Sequence, residues 1–316
     1  MSIESDIRER VLRGLAMNRT PGYHYAGNFL DFSFEHVAVD DVRMRMSVGP
    51  HVAEANGNVN YCALAILADM GMAANIRAGH TLATRVATVQ MNLQFTGSPM
   101  TGRLLSASRL QEYVKGCNSA QGAAEVTVSA DGVPVCYGTG TFMVLEPPPG
   151  VALYSMSHRK ETDPPIAPLA ERELKRDEKK VLAIADAALA EMRAGGNFIK
   201  SFWGVKTHAR HTGAGGAVGA LNNSPHVGNR VGHLQGGVTM GLGVATAETA
   251  LPANWMLSAV TAWYIRPGEG RVIKAKSKII HQGRLTAVVR TEITGKNNKR
   301  VMEMITTHAH KSAKAA

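Results

Sequence analysis

Two short stretches of this sequence hold residues whose type and spacing can do chemistry. The first is an apolar run, Ala63-Leu64-Ala65-Ile66-Leu67-Ala68-Asp69-Met70-Gly71-Met72, interrupted by one carboxylate. A carboxylate inside such a helix loses hydration unless it has a partner or a task, and burial raises its pKa. A raised pKa is common among catalytic bases and nucleophiles. The same pattern also fits an Asp69 that lies on the helix surface or bonds a nearby backbone N–H. The second stretch is His233-Leu234-Gln235-Gly236-Gly237, with Asn229 six residues before Gln235. Glycines at a helix start let a ligand approach backbone N–H groups that have no intrahelical acceptor, and the local dipole favours developing negative charge. That is an oxyanion site, although a tight turn or close helix-sheet packing asks for the same glycines. Thr88 is a third candidate, with a hydroxyl that could orient a water or simply satisfy a strand position.

The elements that must position these residues occur twice. In the first half a strand-like run, Phe32 to Val48, precedes an apolar helix from about Asn60 to Ile76. Four alternating strand segments follow, Thr88 to Phe95, Arg103 to Val114, Gly122 to Ala130 and Val133 to Leu145. In the second half Phe198 to Thr212 is read as the first strand and Gly236 to Leu251 as the helix. Ser258 to Ile265, Arg271 to Ile280, Thr286 to Thr294 and Arg300 to His310 repeat the four strands. Asp131-Gly132 and Asn297-Asn298 close the last hairpin of each half. Charged amphipathic helices, Glu4 to Met17 and Ala170 to Ala194, stand before the halves. The prolines of 147–149 and 164–165 mark a linker. The expected boundaries are therefore residues 1–146, a linker over 147–166, and 167–316. The expected class is α+β: two tandem units, each an antiparallel sheet of about five strands wrapped around a central helix. Joined edge to edge, the two sheets would bury each other's free edge and form a pseudo-dimer within one chain.

Composition bounds the function classes. The 316 residues are 45% hydrophobic and 19% charged, with a net charge of +10. Only 5% are aromatic and no recognition motif or basic arm stands out, so base stacking and groove reading are not indicated and a nucleic-acid partner is not expected. A phosphate-bearing small molecule fits the charge, as does a merely solvated basic surface. No run of eighteen apolar residues points to a membrane span, and the start reads as a charged helix rather than a signal peptide, so a cytoplasmic protein is expected. Cys62, Cys117 and Cys136 show neither paired nor metal-ligand spacing; no metal site is expected, and these are read as inert thiols.

The motifs resemble the PaaI-like acyl-CoA thioesterases of the hotdog fold, whose fingerprint is Asn-x5-His-Gly-Gly-x6-Asp followed by a strand Ser or Thr. The likeness runs from about Asp31 to Leu145 and again from about Phe198 to His310. The second half supplies Asn229 and Gln235-Gly236-Gly237, but Val244 stands where the acid belongs. The first half has Glu54 and Asn60-Tyr61-Cys62 in place of the Asn and the His-Gly-Gly turn. It keeps Asp69 and Thr88, with Gln90 to Phe95 continuing like the family's strand. In the family each site takes its turn from one subunit and its acid from the other. The resemblance therefore implies one composite site, with Asn229, Gln235, Gly236 and Gly237 facing Asp69 and Thr88. A second composite site, with Asn60 and Tyr61 facing Val244, lacks the acid.

The activity implied is hydrolysis of an acyl-CoA thioester. The Gly236 N–H would hold the oxyanion and Asp69 would act as nucleophile or general base, with Asn229, Gln235 and Thr88 orienting the water or thioester. Coenzyme A enters as part of the substrate and no further cofactor is implied. Its phosphates call for basic groups: Lys115 and Arg284, near the turns at Gly116 and Gly283, and Lys274, Lys276 and Lys278 on one strand face are candidates, and Gly237 and His233 are further expected contacts to the coenzyme A moiety. The resemblance also implies assembly into homo-oligomers of the pseudo-dimer. Two alternatives stand beside hydrolysis: a non-catalytic acyl-CoA binder, and a hotdog hydratase or dehydratase, for which His36 with Asp40-Asp41 is the nearest pattern. Glu248, one turn beyond Val244, could reach the same helix face, although a solvated position near the helix end is the plainer expectation.

Overall fold

The computed structural model describes residues 2–20, 24–80, 84–114, 120–146, 162–210 and 215–311. Six strands come from the first half: β1 (Ser33–Val37), β2 (Val42–Ser47), β3 (Arg85–Phe95), β4 (Arg103–Tyr113), β5 (Gln121–Ala130) and β6 (Val133–Leu145). The second half matches them with β7 (Lys206–Arg210), β8 (Gly216–Asn222), β9 (Trp255–Tyr264), β10 (Val272–Gln282), β11 (Thr286–Thr294) and β12 (Arg300–His310). All join one 12-stranded sheet in the order β1-β2-β4-β5-β6-β3-β9-β12-β11-β10-β8-β7. The two halves read as mirror sequences outward from β3 and β9.

The seam is an antiparallel pair in which Gln90 faces Trp263, Asn92 faces Thr261 and Gln94 faces Ala259. It closes one edge of each half, as the repeat predicts, and leaves β1 and β7 as the outer strands of the sheet. Each unit wraps a central helix, α3 (Tyr61–Ala78) in the first half and α6 (Gly236–Thr249) in the second. Both are apolar on all sides because each is covered by its own sheet and by the other helix. Outer strands alternate instead: in β5 every second residue is buried, and in β10 Ile273, Ala275 and Ser277 face inward while Lys274, Lys276 and Lys278 face out.

Four further helices cover one side. α1 (Ile3–Asn18), capped by the Ser2 side chain, buries Ile7, Val11 and Leu15. It lies against α4 (Arg176–Arg193), with an Arg8–Asp186 ion pair at 2.9 Å. α2 (Tyr25–Leu30) and α5 (Phe198–Trp203) meet through aromatic rings, Phe29 to Phe202 at 4.9 Å and Phe198 to Phe202 at 5.2 Å between centroids.

Three expectations are corrected here. The run Phe32 to Val48 is two strands, because Asp40 and Asp41 favour a turn over a strand and fold it into a hairpin. The segment Phe198 to Thr212 begins as α5, not as a strand: Asn197 caps it by accepting from the Lys200 N–H at 3.0 Å, and Gly204 ends it at φ 70°. Each half has six strands where about five were expected, the second half adding β8, which lies outside the expected strands. The helix expected over Ala170 to Ala194 opens as a separate single turn at Glu171–Glu173, before α4 starts at Arg176. Of the linker, residues 147–161 lie outside the described residues. Both hairpin turns form as expected, with positive φ at Asp131, Gly132, Asn297 and Asn298. Among the described residues no helix is long and apolar enough to cross a membrane.

Candidate functional site

The packing of α3 on α6 sets the site. A Cβ on Gly237 would come 2.6 Å from the backbone N of Ile66, and one on Gly241 would come 2.9 Å from the Cα of Cys62. The two helices thus touch backbone to backbone through glycines one turn apart, and they run antiparallel, since 237 meets 66 while 241 meets 62. Continuing α3 by one turn past Ile66 brings Asp69 abreast of the start of α6. Gly237 is accordingly a packing glycine.

Asp69 is 8% exposed. Its Oδ1 accepts a hydrogen bond from the Thr88 hydroxyl at 2.6 Å. Thr88 is presented at a bulge in β3, where the register with β6 skips a residue between Thr88 and Gln90. Burial pushes the Asp69 carboxyl up to about 6, while the Thr88 hydrogen bond and the Arg77 charge pull it down. Near neutral pH the group is mostly ionised yet poorly hydrated, which is the condition of an effective base or nucleophile.

On the facing helix, Gln235 is the N-cap: its side-chain oxygen accepts from the Val238 N–H at 3.0 Å, and its backbone carbonyl accepts from the Thr239 N–H at 2.9 Å. With Val238 capped, the N–H groups of Gly236 and Gly237 are left without an acceptor among the described residues. Asn229 uses its side-chain oxygen within its own loop, accepting from the N–H groups of Val231 and His233, each at 3.0 Å. It shapes the approach to the helix start. His233 lies 3.6 Å from Glu269.

Tyr264, the last residue of β9, ties the two sides together. Its hydroxyl donates to the Gly236 carbonyl at 3.3 Å, and a Cβ on Gly236 would sit 3.2 Å from its ring. Burial raises its phenol well above the ordinary value, and the nearby charge of Asp69 adds to this. Sequence reasoning missed Tyr264. The signal was its register: Phe95 ends β3 as Tyr264 ends β9, and the seam pairs the two strands symmetrically. Gly236, Tyr264 and Thr88 are each half-buried, so access to Asp69 lies on their side.

The remaining candidates are scattered. Lys115 and Gly116 lie outside the described residues. Arg284 is exposed in the β10–β11 hairpin, and Lys274, Lys276 and Lys278 lie on the outer face of the sheet, opposite the helices. Among the described residues no cluster of three or more His, Cys, Asp or Glu is placed to hold a metal ion. Cys62 and Cys136 are buried free thiols, and Cys117 lies outside the described residues.

A cleft of about 700 Å³ opens at the place related to Asp69 by the symmetry of the two halves. It is lined by Glu54, Asn60, Tyr61 and Glu248. Asn60 caps α3, accepting from the Cys62 N–H at 2.9 Å and the Trp203 indole at 3.1 Å, and donates to Glu54. Glu248 is not solvated as expected. It is half-buried, and burial together with the Glu54 charge raises its carboxyl to about 7.

Residues 225–309, covering α6 and β9 to β12, match the family model of the acyl-CoA thioesterase N-terminal domain. No curated protein matches the chain. Among solved structures, a provisionally assigned oleoyl thioesterase from Lactobacillus plantarum is 11% identical, covering 86% of this chain and 97% of that one with a TM-score of 0.53. A provisionally assigned thioesterase from Novosphingobium aromaticivorans is 13% identical, covering 89% and 99% at 0.51. A hot dog fold protein of unknown function from Alicyclobacillus acidocaldarius is 8% identical, covering 89% and 96% at 0.50. These three likenesses speak to the fold, and each extends across both halves. The chain has the tandem hotdog fold, and its second half is similar to the acyl-CoA thioesterase N-terminal domain.

Proposed function

We propose that the chain hydrolyses acyl-CoA thioesters at a site assembled from both halves, with Asp69 and Thr88 from the first and Gly236 and Tyr264 from the second. The observation that carries this reading is the hydrogen-bonded, buried Asp69 beside a helix start whose first two N–H groups are free. A thioester carbonyl directed at the Gly236 N–H would be polarised, and the oxyanion formed on attack would be stabilised there. A single such donor contributes about 3 kcal/mol in other enzymes. Asp69 either attacks the carbonyl carbon or takes a proton from the attacking water, and both steps require it ionised. Thr88 holds one carboxylate oxygen and leaves the other for the reaction. Tyr264 fixes the Gly236 carbonyl and with it the direction of the adjoining N–H groups. Gln235 and Asn229 support the helix start from behind. Arg284 and Lys115 are the proposed contacts for the phosphates of coenzyme A.

The test is thiol release from a panel of acyl-CoAs, short aliphatic to long and aromatic, by wild type and Asp69→Asn. Turnover by wild type that falls by about 100-fold or more in Asp69→Asn, with binding retained, supports the reading. Absence of thiol release by wild type from every member of the panel would leave an acyl-CoA binder. Single turnover in 18O-labelled water separates the two roles of Asp69: label entering the carboxylate identifies an anhydride.

A further inference from the structure

The pseudo-symmetric cleft is more than a degenerate copy. Where Asp69 and Thr88 stand in one site, Val244 and Leu257 stand in the other; Leu257, like Thr88, directly precedes a register skip, here between Thr307 and His308. The fingerprint acid and hydroxyl are therefore both apolar here. Yet the cleft holds about 700 Å³, and a different carboxylate faces it. Glu248 lies one turn beyond Val244 on α6. Extending the antiparallel helix contact past Gly241 and Cys62 places it abreast of Glu54, outside the start of α3. Among the described residues the Glu248 side chain makes no hydrogen bond and no ion pair, although burial raises its carboxyl. A half-buried carboxylate with no such partner that lines a cleft of about 700 Å³ is placed to meet a ligand there.

The other walls are those of an acyl-thioester site. The Tyr61 N–H opens α3 as the Gly236 N–H opens α6, and it has no acceptor among the described residues. The Tyr61 ring stands edge-on to Phe95 at 5.5 Å between centroids. Phe95, Leu251, Trp255 and Met256 make the cleft apolar on one side. Exposed Lys200 and Lys311 add positive charge at its rim.

We infer that this cleft is a second acyl-thioester site, working with Glu248 in place of the missing acid and the Tyr61 N–H as its oxyanion donor. The substrate class rests on the reading proposed above. In the reaction, a water oxygen bonds to the thioester carbonyl carbon as one of its protons passes to the Glu248 carboxylate. The C–S bond then breaks and the departing thiolate recovers that proton, giving a carboxylic acid and a thiol. The groups facing Glu248 are Glu54, Tyr61, Lys200 and Lys311; the two lysines favour its ionised form and Glu54 opposes it. This second activity should therefore rise with pH through the neutral range, above the rise set by Asp69.

The experiment compares thiol release by wild type, Asp69→Asn, Glu248→Gln and the double variant on butyryl-, octanoyl-, palmitoyl- and phenylacetyl-CoA. Calorimetric titration with a thioether analogue of octanoyl-CoA counts bound molecules per chain. The expected result is a residual turnover in Asp69→Asn that falls at least about tenfold when Glu248→Gln is added, as for removal of a general base. Two analogue molecules bind per chain, and Glu248→Gln weakens only one of them. A double variant that matches Asp69→Asn in turnover, or one analogue bound per chain, overturns the second site. Wild-type turnover in Asp69→Asn, abolished by Glu248→Gln alone, would instead defeat the assignment of Asp69 and leave this inference standing.

Discussion

Replacing Thr88 with Val removes one hydroxyl and keeps the branched shape at the bulge of β3. In the wild type that hydroxyl donates to Asp69 at 2.6 Å and favours its ionised form. A hydrogen bond to a charged acceptor contributes about 1.5–3 kcal/mol, and each 1.36 kcal/mol moves a pKa by about one. Without it, the Asp69 carboxyl should rise from about 6 to roughly 7–8. At pH 7 the ionised fraction then drops from about nine-tenths to somewhere between a half and a tenth. The expected outcome is a kcat/KM for acyl-CoA hydrolysis lower by about two- to tenfold at pH 7 and restored to near wild type at pH 9. The assay is a pH–rate profile between pH 5 and pH 9, read as free thiol, for both proteins under subsaturating substrate. A loss of equal size at every pH, with the acid limb unmoved, would refute the reasoning: Thr88 would then be acting on the substrate and not through the ionisation of Asp69.

Asp69→Asn should stabilise the fold at alkaline pH. Because the folded carboxyl is raised from 3.8 to about 6, the folded state keeps its proton longer than the unfolded chain, and wild-type stability falls as pH rises through that window. The rise corresponds to about 3 kcal/mol, so urea midpoints should favour Asp69→Asn at pH 8 and converge with wild type near pH 4. Gly237→Ala should destabilise by about 1–3 kcal/mol in denaturant unfolding, since its Cβ would meet the Ile66 backbone at 2.6 Å and backbone cannot step aside. Tyr264→Phe removes the donor to the Gly236 carbonyl, a bond of about 1 kcal/mol, and should lower kcat several-fold with KM nearly unchanged.

The strands β3 to β6 and β9 to β12 and both central helices are legible in the sequence, because sheet alternation and the apolar run of a covered helix follow directly from burial. The short helices α2 and α5 are not: Phe198, Ile199, Phe202 and Trp203 form a helical face only one turn long, and an apolar run of that length reads equally as a strand. Asp69 was legible by its isolation among apolar residues, and Gly236 by its place at a helix start. Close packing was one reading of Gly237 in the sequence, but its partner was not legible, since Ile66 lies far away in the chain and on a helix rather than the sheet. Tyr264 and Glu248 carry no local signal of their own. Tyr264 matters because a register brings a strand end over a helix start, and Glu248 because α6 runs on for about two turns past its contact with the start of α3.

The seam between β3 and β9 also changes what dilution can do. Where a hotdog site is shared by two separate chains, its occupancy follows protein concentration, and at low concentration the halves part and the site with them. Here Gln90 to Gln94 and Ala259 to Trp263 belong to one polypeptide, so their encounter is intramolecular and set by the tether. On the function proposed above, turnover per molecule would be uncoupled from abundance, one molecule supplying both sides of the site.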